Sequence, residues 1–197
     1  GTLQGNELPM RPPADLKLPP GVKPQRRIVA GDKVAGKSSL VLDTASPDVR
    51  TDPARPGFAL QRMWVVDSAP AKLVYETLHL PNVLIPPKNG SVLNVFTFPP
   101  DATWLGKVGQ HEVAAYFQAM GATGASTYSA QAKHPYMQKT RTLDLCIVLE
   151  GAITLVLDTQ EVVVKQGEFV INRGGNHAWR NHTNKPAVVS IASHDAK

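Results

Sequence analysis

The residue of this sequence best suited to chemistry is His177, near the end of the 197-residue chain. An imidazole titrates near neutral pH, so His177 can act as a general acid or a general base. Asp144 can orient that ring or raise the pKa of its imidazole. Trp179 and Tyr136 carry flat rings on which a planar ligand can stack. These four side chains therefore predict a site for a small molecule.

The spacing of the polar residues near His177 predicts that they converge. Gln138, Thr140 and Asp144 are separated by even numbers of positions, so they share one face wherever the chain is extended. The same rule places the alternate residues of the run from His177 to Asn181 on one face. Two polar faces of this kind can meet when their strands belong to one barrel.

Several of these residues also have a structural interpretation, and the sequence leaves both open. Asp144 can hydrogen-bond a turn, and His177 can be a buried histidine bonded to Asp144. Trp179 can be core packing. An acidic ligand could pair with Arg173 or Arg180. Arg180 is out of step with His177, however, and is expected to face solvent.

One familiar motif is rejected on its context. Residues 31–38 satisfy the phosphate-loop pattern GxxxxGK[ST], which needs a helix starting at its lysine to cradle phosphate. The residues after Lys37 are rich in β-formers, and Pro47 follows too soon for a helix that connects parallel strands. We therefore interpret this segment as a glycine-rich β-turn, between short strands at 26–30 and 38–42.

The elements that must position the candidate residues are mostly strands. The apolar pattern predicts further strands at 60–66, 91–98, 142–149, 153–158, 161–164, 168–172, 177–181 and 187–192. One helix is predicted over 110–120, because Val113, Phe117 and Met120 recur at helical spacing and Gly121 follows as a stop. Short strands at this spacing, separated by glycine turns, predict a mainly β sandwich or small barrel.

Composition limits the function classes. The net charge is +5, but +3 of it falls on the first 30 residues, so the remaining chain is nearly neutral and a nucleic-acid binder is not expected. One cysteine, Cys146, excludes an internal disulfide and is expected to be a small buried hydrophobe. Fifteen of the 17 prolines lie in the first 100 residues, and residues 1–24 read as an extended proline-rich arm.

The segment from 134 to 181 resembles the cupin superfamily, whose two short motifs supply metal ligands. At the first motif's histidine, histidine, carboxylate and closing glycine positions the sequence has Gln138, Thr140, Asp144 and Gly151. At the second motif's glycine, histidine and asparagine positions it has Gly174, His177 and Asn181. The NHAWRN sequence at 176–181 looks like a subgroup of small monocupins, here with a degenerate histidine motif.

The resemblance implies a double-stranded β-helix, or jelly-roll barrel, formed by residues 25–197, with 102–131 inserted at its mouth. It also implies a divalent metal, Zn, Fe, Mn or Ni, or none if the altered motif no longer binds one. The candidate ligands are Gln138, Asp144, His177 and, by even spacing from Gln138, His134. Only Asp144 and His177 are strong ligands.

We therefore expect a small-molecule enzyme that acts in the barrel interior on a compact, aromatic or acidic metabolite. The reaction would be of the isomerase, decarboxylase, lyase or dioxygenase type, with His177 and Asp144 catalytic and Trp179, Tyr136, Gln138 and Thr140 contacting the ligand. The alternative is a non-catalytic ligand-binding or sensing cupin. As partners we expect a small-molecule ligand and a second copy in a homodimer, with no nucleic acid and no membrane. We expect a cytoplasmic location, and a cleaved signal peptide is compatible with a sequence that opens at Gly1.

Overall fold

The computed structural model describes residues 17–197, and for Val34 it describes the backbone alone. Most of the predicted arm over 1–24 thus lies outside the described residues. Its last part is attached to the domain. The Lys23 ammonium pairs with Glu150 at 2.8 Å, and the buried Gln61 amide donates to the Lys23 carbonyl at 2.9 Å.

Eleven strands form the framework of the described chain, and the sequence predicts ten of them. They are β1 (Arg26–Val34), β2 (Lys37–Ala45), β3 (Val49–Thr51), β4 (Ala59–Val66), β5 (Ser91–Phe98), β6 (Thr142–Glu150), β7 (Ala152–Leu157), β8 (Glu161–Lys165), β9 (Phe169–Asn172), β10 (His177–Arg180) and β11 (Ala187–Asp195). They form a six-stranded sheet in the order β3-β4-β5-β11-β6-β9, a three-stranded sheet in the order β10-β7-β8, and a separate β1-β2 hairpin. Neighbouring strands are antiparallel throughout these sheets.

The hydrophobic core lies between the two larger sheets. Phe96 and Phe98 alternate on β5 toward it, and Phe98 contacts Trp179 of the smaller sheet at 6.3 Å between ring centroids. Phe96 and Phe98 both face the core because side chains two positions apart on a strand lie on the same face of the sheet. The sequence prediction of a mainly β barrel is confirmed.

The predicted helix is confirmed as α1 (Gln110–Ala119), and its buried residues pack on the barrel core. The helix ends at Met120, because Gly121 has a left-handed φ of +64°. A side chain at Gly121 would also place its Cβ 2.6 Å from a methyl carbon of Val83. Glycine therefore satisfies both the conformation and the packing there.

Two predictions about the N-terminal strands need correction. Strand β3 was not predicted, because three residues without a clear apolar alternation give no periodic signal. The turn expected over 31–37 is much shorter, since β1 and β2 extend to Val34 and Lys37 around Gly36, whose φ is +73°. Because 31–38 form this hairpin with no helix after them, the rejection of a phosphate loop is confirmed.

Candidate functional site

A partly enclosed cavity of about 40 Å³ lies in the barrel interior, a volume that holds a few water molecules or a very small ligand. Its polar lining includes Gln138, Thr140, Asp144 and His177, which the sequence predicts to converge. Its apolar lining is largely aromatic and includes Trp179 and Tyr136. The remaining lining residues are Arg55, Leu84, Ile85, Phe96, Phe98, Tyr116, Thr142, Ile191 and Ser193.

His177 opens strand β10, where its backbone exchanges two hydrogen bonds with Gln138, at 2.8 and 2.9 Å. Its side chain is buried, and its Nδ1 lies 2.9 Å from the Gly175 carbonyl oxygen. The tautomer with Nδ1–H donates to the Gly175 carbonyl and leaves the Nε2 lone pair free, whereas the Asn172 amide nitrogen, also 2.9 Å from Nδ1, donates only to the other tautomer. Burial lowers the pKa of His177, although the Gly175 carbonyl and the Asp144 carboxylate oppose that shift. The ring is therefore neutral at pH 7 and can accept a proton.

Asp144 is held from one side by a short row of hydroxyl groups. Thr142 Oγ1 donates to Asp144 Oδ1 at 2.9 Å, and the hydroxyls of Thr140 and Thr142 are 2.6 Å apart. Asp144 lies on β6 opposite Asn172 of β9, and Asn172 Nδ2 lies 2.9 Å from His177 Nδ1. The carboxylate is buried, yet it lines the cavity and can act on a bound ligand.

Aromatic rings form much of the cavity wall. The Trp179 ring lies edge-on to His177 at 6.2 Å, and Tyr136 lies edge-on to Tyr116 at 5.4 Å. The Tyr136 hydroxyl donates to Asp52 Oδ2 at 2.9 Å, and burial raises the pKa of that hydroxyl above its usual value. Both residues are thus fixed parts of the wall, and their faces and edges can contact a planar ligand.

Sequence reasoning missed Arg55, the one arginine or lysine that lines the cavity. Arg55 lies between β3 and β4 and is 4% exposed. Its Nε donates to Asp52 Oδ2 at 2.7 Å, and its guanidinium lies over the Tyr136 ring at 3.6 Å and the Phe58 ring at 4.0 Å. The segment carries no periodic signal, and these aromatic partners are distant in sequence, so nothing local marks Arg55 as a site residue.

The structure places His134 away from the cavity, which corrects its assignment as a metal ligand. Its Nε2 pairs with Asp101 Oδ2 at 2.8 Å, and its Nδ1 accepts a hydrogen bond from the Tyr136 N–H at 3.1 Å. Both ring nitrogens are therefore occupied. The even-spacing rule fails here because residues 134–136 form a turn, and that rule holds only for extended chain.

Three other residues singled out in the sequence, Arg180, Arg173 and Asn181, lie outside the cavity. Arg180 lies 2.7 Å from Glu161 and donates to the Lys133 carbonyl, and Arg173 lines a different surface groove. Asn181 is buried, and its side-chain amide donates to the carbonyl oxygens of Phe98 at 2.9 Å and Lys185 at 2.8 Å. None of the three lines the cavity around His177.

The donor set around His177 does not fit a transition-metal ion. Within residues 17–197, no three histidine, cysteine, aspartate or glutamate side chains are grouped so that they could hold one. The two family histidine positions hold Gln138 and Thr140, whose neutral oxygens are weak ligands. The single cysteine of the chain, Cys146, is buried, and burial raises its pKa to about 12, so it is not a thiolate at neutral pH.

Comparison with known proteins agrees with the class of fold that this barrel and its interior cavity define. Residues 126–193 match the family model described as "Cupin domain". Over 48 residues the chain is 44% identical to Phomopsin biosynthesis cluster protein C' of Diaporthe leptostromiformis, which covers 24% of this chain and 25% of the relative. Phomopsin biosynthesis cluster protein D of the same organism matches to the same extent. The matched stretch thus spans about a quarter of the length of these curated relatives.

Among solved structures, an RmlC-like cupin from Shewanella frigidimarina is similar, with a TM-score of 0.39, 8% identity, and coverage of 76% of this chain and 85% of that chain. The segment 126–193, which holds His177 and Asp144, is thus similar to a cupin domain over about a third of the chain. None of the helices in residues 17–197 has the length and apolar character needed to cross a membrane.

Proposed function

We propose that the barrel interior is the active site of a small-molecule enzyme in which His177 is the general base. The observation that carries this proposal is the shared cavity of His177 and Asp144, both buried and both accessible to a ligand from inside the barrel. With Nδ1 directed to Gly175, Nε2 is the ring nitrogen that would take a proton from the substrate. A base poised in this way suits proton abstraction from a weakly acidic C–H or O–H group.

Asp144 would stabilise the imidazolium that forms when His177 takes up a proton. Its carboxylate already acts electrostatically on His177 in the direction that raises the imidazole pKa. The attraction between the Asp144 carboxylate and the His177 ring becomes stronger once the ring carries a positive charge, because the site is buried and poorly screened. The proton held on Nε2 can then return to another atom of the substrate, or to its leaving group.

This chemistry favours isomerisation, elimination or decarboxylation over oxygenation. Each of the first three can proceed by moving protons and charge within one compact substrate. A dioxygenase reaction uses a redox metal or cofactor, and the donor set around His177 does not fit such a metal. No step of the proposed mechanism passes through a metal.

The test is a comparison of His177→Gln and Asp144→Asn with the wild type and with His79→Gln as the matched control, since His79 is exposed and outside the cavity. Each protein is incubated with a pool of small organic acids and metabolites, and substrate loss is followed by mass spectrometry. We expect both site variants to lose at least about a hundredfold in turnover, as removal of a general base does, while the control keeps full activity. Retained turnover in folded His177→Gln would refute the mechanism.

Treatment of the wild type with EDTA gives an independent result. We expect turnover to survive chelation and dialysis, because the proposed steps use only protein side chains. Loss of turnover after chelation, with recovery on adding back Zn²⁺, Fe²⁺, Mn²⁺ or Ni²⁺, would show that a metal does the chemistry instead.

The second candidate function is ligand binding or sensing without catalysis. The observation in its favour is that glutamine and threonine occupy the two histidine positions of the first cupin motif. In that case the protein would retain a metabolite from the same pool, identified by mass spectrometry after denaturation, and would release it chemically unchanged.

A further inference from the structure

One nitrogen of the cavity-lining Arg55 has no hydrogen-bond partner. Its Nη2 is buried and unsatisfied, whereas its Nε is paired with Asp52 Oδ2. A buried guanidinium N–H without a partner is costly, because it has lost water without gaining another acceptor. Such a group is rare in folded proteins unless an acceptor is supplied from elsewhere.

The surroundings of Arg55 fix its guanidinium plane. Asp52 is itself anchored, since its Oδ1 accepts a hydrogen bond from the Ala54 N–H at 3.0 Å and its Oδ2 accepts from the Tyr136 hydroxyl at 2.9 Å. The rings of Phe58 and Tyr136 lie within 4.0 Å of the guanidinium carbon. The group is thus oriented before any ligand arrives, which reduces the entropy lost on binding.

We infer that Arg55 is the anchor for the carboxylate of a compact, planar monocarboxylic acid bound in the barrel. The inference rests on the proposed function, since it names the ligand class of the same cavity. Because Nε is already bonded to Asp52, the unpartnered Nη2 would donate to one oxygen of the ligand carboxylate, which supplies the missing acceptor. Arg55 already lines the cavity in which such a ligand would bind.

The other residues that line the cavity limit which carboxylic acids could bind. Phe96, Phe98 and Trp179 give the cavity an aromatic wall that suits a flat apolar body. Asp144 also lines the cavity, and its carboxylate would repel a second carboxylate on the ligand. A ligand with one acid group near Arg55 and an apolar, planar remainder therefore suits this lining better than a diacid.

The experiment measures binding of two acid and amide pairs, benzoate with benzamide and acetate with acetamide, by calorimetry on the full chain. Each pair keeps the shape and changes the charge, and acetate covers the case in which benzoate is too large. We expect at least one acid to bind wild type about tenfold or more tightly than its amide, as a charged hydrogen bond provides. Arg55→Gln is expected to remove that preference, and the matched control Arg173→Gln, outside the cavity, to keep it.

If Arg55→Gln fails to fold, the wild-type preference of acid over amide still decides the matter, and Arg55→Lys supplies a variant that keeps the charge without the planar fork. An equal affinity for acid and amide in both pairs, or no binding of either acid, overturns the inference. If wild type prefers the acid but shows no turnover that depends on His177, the proposed function alone is refuted. If turnover depends on His177 but the acid is not preferred over its amide, the carboxylate anchor alone is refuted.

Discussion

Replacement of His134 by leucine should destabilise the protein strongly without replacing any residue that lines the cavity. In the folded protein the fully buried His134 joins Asp101, which is 6% exposed, to the backbone of Tyr136. Leucine has a similar size but no polar atom, so the substitution leaves the Asp101 carboxylate without its partner at Oδ2. It also leaves the Tyr136 N–H without an acceptor. Because burial lowers the pKa of His134, the ring is neutral at pH 7 and donates a hydrogen bond to a charged acceptor, whose loss costs about 1.5–3 kcal/mol.

That cost is a large part of the total stability of a typical domain, which is about 5–15 kcal/mol. The assay is equilibrium unfolding in urea, followed by tryptophan fluorescence. With a slope of about 2 kcal/mol per molar urea, the unfolding midpoint should fall by about 0.75–1.5 M. His134→Gln is the matched control, since its amide can donate to Asp101 and accept from the Tyr136 N–H. We expect it to recover at least half of the loss.

A midpoint in His134→Leu equal to that of the wild type would refute this reasoning, because it would mean that the pair with Asp101 stabilises nothing. A fall in the content of bound metal, with stability unchanged, would instead restore the interpretation of His134 as a ligand. Recovery in His134→Gln separates the loss of hydrogen bonds from a general intolerance of substitution at this site.

Two further predictions concern protonation and the thiol. Burial lowers the pKa of both His134 and His177 from the usual 6.5, so the unfolded chain binds protons first as the pH falls. The stability that these two histidines contribute is complete above about pH 6.5. It decreases as the pH falls toward the pKa of the folded state, by up to about 1.4 kcal/mol per pH unit for each histidine. A free energy of unfolding in urea that stays constant between pH 7.5 and 5 would contradict this. Cys146 is buried with its pKa raised to about 12, so iodoacetamide at pH 8 should modify it slowly in the native protein and rapidly in urea. Equal rates of modification in the two states, measured by mass spectrometry, would contradict its burial.

Local patterns predict most of the fold, because most elements of this chain are decided by local alternation. Strand β5 is predicted with its observed bounds, since Val92, Phe96 and Phe98 repeat at the two-residue period of a buried strand face. Helix α1 is found through its helical spacing and the glycine that follows it. Strand β3 is missed because it is short, and it is held by pairing with β4.

The candidate site is predicted in part, for the same reason. Gln138, Thr140, Asp144 and His177 reach one cavity, as their spacing and the cupin motifs suggest. Spacing misleads at His134 because a turn interrupts the extended chain. It is silent on Arg55, whose partner Tyr136 lies more than 80 positions away. Contacts of that range depend on how the elements pack in three dimensions, which no local pattern encodes.

The hydrogen bonds that build the cavity have a consequence for how the protein folds. The Tyr136 hydroxyl bonds to Asp52 across 84 positions, and the Asn181 side chain bonds to the Phe98 carbonyl across 83. Chains dominated by such distant contacts fold slowly, over about milliseconds to seconds, because long loops must close before their contacts repay the cost. We therefore predict that the cavity is completed late in folding, after the segments that carry Asp52 and Tyr136 have docked. A ligand that fits it would slow unfolding far more than it would speed folding, and the ratio of those two effects would report how late the cavity forms.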